Sequence, residues 1–174
     1  MGWIPERFSA RLPCSSRRLP EIGAVELAAQ EDSTGPERET LRRLVPAVPE
    51  PRVYEVRAPD DWARLVGAYP FEVSRTRRGV WWESTGIDGA WFLPDWSAVA
   101  EDWDGIHVSV QGYLATAGEA LPVPRGHTVL AGWNPDCTYW LCDVTRSPAE
   151  EWRRIGDEDA AHWTRVDSSA GSLG

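Results

Sequence analysis

His107 and Ser109 lie two positions apart in the alternating run Ile106-His107-Val108-Ser109-Val110-Gln111, so an extended chain turns both to one face and Ile106, Val108 and Val110 to the other. An imidazole near a hydroxyl is the raw material of base-assisted nucleophilic chemistry. Asp104, with Asp95 and Asp102 close by in the chain, supplies a carboxylate to orient the ring or accept a proton. His107, Ser109 and Asp104 are therefore the candidate catalytic set. The competing reading is structural, because two side chains on one strand face do not by themselves make the contact a nucleophile and its base need.

A second group suits binding. Arg75, Arg77 and Arg78 form a dense basic cluster able to meet a phosphate or carboxylate. Trp82, Trp133 and Trp152 are candidate surface anchors, since aromatics are enriched where binding energy concentrates. Asp136, in the Asn134-Pro135-Asp136 turn, joins Arg75, Arg77, Arg78, Trp82 and Trp133 as a candidate ligand contact. No metal site is expected: His107, His127 and His162 are widely scattered, and Cys137 and Cys142 are five apart, which puts them on opposite faces of a continuous strand. All 18 basic residues are Arg, which excludes lysine Schiff-base chemistry and a P-loop lysine.

The elements that would position these residues follow from periodicity. Arg52–Arg57 reads as a strand, and Pro59-Asp60-Asp61 opens a helix with Trp62, Leu65, Val66 and Tyr69 on one face. A second unit repeats the pattern, with a strand at Trp91–Leu93 and a helix carrying Trp96, Val99, Ala100 and Trp103. Between them, Phe71–Ser74 and Val80–Glu83 read as a hairpin turned by Arg75–Arg78. The alternating strand through His107 comes next, then a short helix near Tyr113–Ala120 and two strands, Thr128–Trp133 and Thr138–Val144. Ser147-Pro148-Ala149-Glu150 has the form of a capping box, so a last helix is expected to reach Ile155. Upstream, Pro36 to Pro46 could bound one helix in an otherwise irregular arm.

The net charge of −9 opposes a dedicated role on nucleic acid, whose phosphates are met by Lys and Arg. Residues 101–150 hold 2 basic and 7 acidic residues, and the run Glu101-Asp102-Trp103-Asp104 could receive a basic protein. No apolar run approaches the length of a membrane span, and the N-terminus lacks the apolar block of a secretion signal, so a cytoplasmic setting without membrane contact is expected.

Asp95-Trp96, Asp104-Gly105-Ile106-His107-Val108-Ser109, Gly132-Trp133-Asn134 and Thr138-Tyr139-Trp140, in this order, resemble an uncharacterised family of bacterial and phage proteins over about residues 52–142. Fuller members carry an N-terminal half similar to ADP-ribosyltransferase strands. The resemblance thus implies a shortened ADP-ribosyltransferase-like scaffold, with NAD as the implied cofactor. This chain departs at Asn134, where the family more often has Asp, and has Arg and Pro where a His-Gly-Thr strand would stand.

The expected architecture is α+β: a mostly antiparallel, Trp-rich sheet with two or three packed helices over residues 52–155, preceded by a Pro/Arg-rich arm (1–51) and followed by an acidic flexible tail (156–174). The expected function is that of a small binding or interaction protein meeting a basic protein or a small nucleotide-like ligand. The alternatives are an NAD-consuming transferase or hydrolase, and an immunity-type protein masking a basic partner.

Overall fold

Val53–Val56 and Gly105–Val108 are short runs rich in β-branched residues, and they pair in parallel, which requires a long crossover between them. That crossover holds the helix Pro59–Ala68, the antiparallel pair Pro70–Glu72 and Phe92–Pro94, the helix Ser74–Thr85 and the helix Trp96–Asp102. Gly105–Val108 then pairs antiparallel with Cys137–Trp140, and Cys137–Trp140 with Cys14–Ser16. The result is a four-stranded central sheet. It belongs to a computed structural model describing residues 12–28, 37–156 and 162–166, an α+β fold with five helices and mostly antiparallel strands among those residues.

One face of this sheet is packed. Val56, Ile106 and Val108 are fully buried against Trp62, Leu65 and Val66, the apolar stripe of Pro59–Ala68. That helix starts at Pro59 with φ already suited to it, and the Asp61 carboxylate turns back to accept from the backbone N–H groups of Arg57 and Ala58 at 3.0 and 3.1 Å. Trp62 donates its indole N–H to Thr128 at 3.1 Å, so this fully buried ring leaves no polar atom unpaired. Trp133 stacks edge-on to Trp62 and Tyr139, which makes it part of this core and not a surface anchor.

Several sequence expectations change, among them the strand expected at Thr128–Trp133, where the strand is Gly126–Thr128. The basic segment Arg75–Arg78 is no turn: Ser74–Thr85 is one helix, closed by Gly86 at φ +72° with its N–H on the Trp82 carbonyl. Burial of Trp81 against Trp91 outweighs the β-branched and aromatic composition that suggested a strand at Val80–Glu83. The capping-box sequence at Ser147 starts no helix either. Ser147 accepts from the Arg43 N–H, and Glu150–Ile155 is the middle strand of a sheet between Arg38–Leu41 and His162–Arg165. Trp152 is buried there with Leu27 and Trp163, while Glu151 and Arg153 are exposed, a period of two. Trp152 is thus also no surface anchor.

The stretch from Pro36 to Pro46 correspondingly forms two strands, Arg38–Leu41 and Leu44–Pro46, the second paired with Val144–Arg146. Residues 12–28 and 37–51 contribute strands to the sheets, where an irregular arm was expected, and His162–Arg165, inside the expected flexible tail, is a strand paired with Glu150–Ile155. Residues 1–11, 29–36, 157–161 and 167–174, which carry the rest of the expected arm and tail, lie outside the described residues.

Candidate functional site

The sheet face opposite the core carries the row Glu55, His107, Thr138 and Ser15, one residue from each strand in register. Alternation alone produces it, because Ile106, Val108, Cys137 and Tyr139 take the other side. His107 remains partly open to solvent, with its side chain 19 % exposed. Its Nδ1 lies 2.9 Å from Thr138 Oγ1, and its Nε2 lies 3.7 Å from an Asp136 carboxylate oxygen. The second Asp136 oxygen accepts from Arg17 Nε at 3.1 Å. Asp136 adopts a left-handed backbone at φ +55°, which a short polar residue tolerates in a turn, and this aims its carboxylate back over the sheet.

The expected catalytic set is not assembled. Ser109 has left the strand: it caps the helix Val110–Thr116, accepting from the Gly112 N–H at 3.0 Å and donating to the Val56 carbonyl. Asp104 accepts from the Arg52 backbone N–H at 2.8 Å and from its guanidinium at 3.2 Å, and those two bonds hold its carboxyl below the ordinary carboxylate range. Asp95 caps the helix Trp96–Asp102, and Asp102 accepts from the Tyr69 hydroxyl at 2.7 Å. The acid that reaches His107 is Asp136, which sequence reading placed among ligand contacts. The antiparallel register would have found it, since Asp136 stands two residues before the cross-strand partner of His107.

Chemically, this row can form an imidazolium–carboxylate pair on protonation. Its Thr138 hydroxyl is the direct cross-strand neighbour of the ring, and Arg17 already occupies the carboxylate. The arrangement ties the first strand's exit to the antiparallel pair Gly105–Val108 and Cys137–Trp140. Among the described residues, no group of three or more His, Cys, Asp and Glu side chains is placed to hold a metal. Cys137 sits in the core, and burial, with Cys14 beside it, pushes its thiol up.

The basic cluster behaves differently. On the helix Ser74–Thr85, residues Arg75, Arg78 and Trp82 fall at i, i+3 and i+7 and share one face, and all three line an open groove of about 780 Å³. Trp82 is 53 % exposed and Val80 57 %. Gly79 forms part of the floor with open space where a Cβ would stand. Arg78 pairs with Asp88, whereas Arg75 and Arg77 have no ion-pair partner among the described residues. The groove thus unites Arg75, Arg78 and Trp82, with Arg77 on the same helix; Trp133 and Asp136 lie elsewhere.

Leu114 and Val110 are also exposed, on the short helix Val110–Thr116. Among the described residues, no helix is long and apolar enough to cross a membrane. The sequence matches no family model, no curated protein and no solved structure.

Proposed function

We propose that this chain is a small binding protein whose working surface is the groove along Ser74–Thr85, and that the groove takes an acidic segment of a partner protein carrying one apolar side chain. The observation that carries this reading is Trp82, more than half exposed beside Val80, with Arg75 and Arg78 on the same helix face. A large exposed aromatic beside cations has the composition of a binding hot spot. Arg75, which lines the groove and has no ion-pair partner among the described residues, supplies the local complement for carboxylates in a chain of net charge −9, with Arg77 adding positive charge on the same helix. The groove is shallow and open, which suits a polypeptide segment better than a small molecule that must be largely enclosed.

The acidic run expected to receive a basic partner is engaged within the fold: Asp104 by Arg52 and Asp102 by Tyr69. That favours an acidic partner over a basic one. His107, Ser109 and Asp104, on which an NAD-consuming activity would depend, serve three separate contacts, so this reading assigns no catalysis.

The test uses a fluorescent peptide with Asp and Glu flanking a single Leu. The expected result is saturable anisotropy that falls with added salt and weakens roughly tenfold in both Trp82→Ala and the Arg75→Glu/Arg77→Glu double variant. Equal binding by these variants, or equal binding of a peptide with Lys and Arg in place of the acids, would overturn it.

A further inference from the structure

A second concavity, of about 500 Å³, lies between the first strand of the central sheet and the segment Thr40–Leu44, on different residues from the Ser74–Thr85 groove. Its walls come from Cys14–Ser16, the Gly23–Ala24 strand and Thr40–Leu44, with Glu150 from the three-stranded sheet. The volume is within the range that encloses a small molecule.

What distinguishes this pocket is its supply of hydrogen-bond donors. Ser15 Oγ accepts from the Trp140 indole N–H at 3.0 Å, and Ser16 Oγ accepts from the Glu26 backbone N–H at 3.1 Å. Each serine oxygen is thereby occupied as an acceptor while its own O–H has no acceptor among the described residues. Arg18 and Arg43 also line the pocket, and neither guanidinium has a protein partner among the described residues. Arg42 gives one N–H to the Ser147 carbonyl at 3.3 Å, and a guanidinium carries five. Two carboxylates, Glu26 and Glu150, share the lining, and Glu150 faces Arg165 at 4.0 Å. Three arginines against two acids leave the pocket cationic in an acidic protein.

From this donor inventory we infer that the pocket binds a small molecule through an oxyanion, a phosphate or carboxylate group held by Arg18 and Arg43 with the Ser16 hydroxyl, on the Glu26 side of the strand, as a further donor. Oxygens that only accept suit idle donors, and planar guanidinium forks match their geometry. A neutral or cationic ligand would leave the arginines unanswered.

Titration of ¹⁵N-labelled protein with inorganic phosphate and, separately, with citrate at constant ionic strength reads the site directly. Saturable amide shifts are expected at Ser15, Ser16, Gly23, Ala24 and Thr40–Leu44, with Ser74–Thr85 unmoved. Saturation by phosphate assigns a phosphate-bearing ligand, and saturation by citrate alone a polycarboxylate. The Arg18→Gln/Arg43→Gln variant, altered only at exposed side chains, is expected to bind roughly tenfold more weakly. Shifts that stay linear and equal those with chloride, shifts centred on Arg75–Arg78, or undiminished binding by the variant would overturn the inference. The wild-type map decides the matter on its own should the variant fail to fold.

Discussion

Trp62 and Trp82 are the same residue type put to opposite uses. Trp62 is fully buried with its N–H on Thr128, whereas Trp82 keeps half its surface in water. Trp62→Ala is expected to cost about 3–5 kcal/mol through cavity formation and an orphaned Thr128 hydroxyl. Trp82→Ala is expected to stay within about 0.5 kcal/mol of the parent. Urea denaturation of the two variants checks both, and a large loss at Trp82 would show that its ring is structural. At this scale the sequence was legible where spacing decides burial: the Trp62, Leu65, Val66 stripe is the core face. It was less legible for side chains with two uses. Ser109 and Asp104 have the chemistry of a catalytic pair, yet a helix cap and a clamp on Arg52 claim them first, because unpaired backbone N–H groups nearby are costly to leave.

The helix Ser74–Thr85 shows why elements are harder to read than faces. Val80-Trp81-Trp82 reads as a strand, because β-branched and aromatic residues favour one. The decisive partner of Trp81 is Trp91, beyond a turn, and such a tertiary contact leaves no local mark. The stop signal was present, since Gly86 closes the helix in the left-handed conformation that glycine adopts without strain. Glu150–Ile155 fails in the opposite sense, a helix-start sequence overruled by pairing on both sides. One consequence for the working helix is testable. Gly79 sits in its interior with no atom within 4 Å of the position a Cβ would take, so Gly79→Ala is expected to raise stability by about 0.5–1 kcal/mol. Thermal unfolding measures this, and a fall in Tm would mean that the helix needs glycine's freedom there.

Over the whole molecule, the first strand, Cys14–Ser16, closes the central sheet and the strand Arg38–Leu41 flanks Glu150–Ile155, so long-range pairing binds the early chain to the late. Proline-rich sequence concealed this, because β pairing across more than a hundred residues has no periodic signature. Two carboxylates held by hydrogen bonds make the fold acid-sensitive. The Asp104 carboxyl is lowered by the bonds from Arg52; that of Asp61, although burial raises it, is lowered overall by bonds from Arg57, Arg64 and Ala58. A carboxyl with a depressed folded value contributes stability that is full above its unfolded value of about 4 and is lost as pH falls through the folded value. Denaturant midpoints are therefore expected to hold from neutrality to about pH 4 and fall below it. Asp104→Asn should start lower and show a shallower fall, whereas an identical fall would assign the acid sensitivity to other groups.

The most direct measurement of the proposed binding role is selection of a random peptide library on the intact protein, followed by competition against the Trp82→Ala and Arg75→Glu/Arg77→Glu variants. Enriched peptides should be acidic around one apolar residue and should lose binding to both variants. Enrichment of basic peptides, or of peptides that bind the variants as well as the parent, would contradict the assignment of the groove.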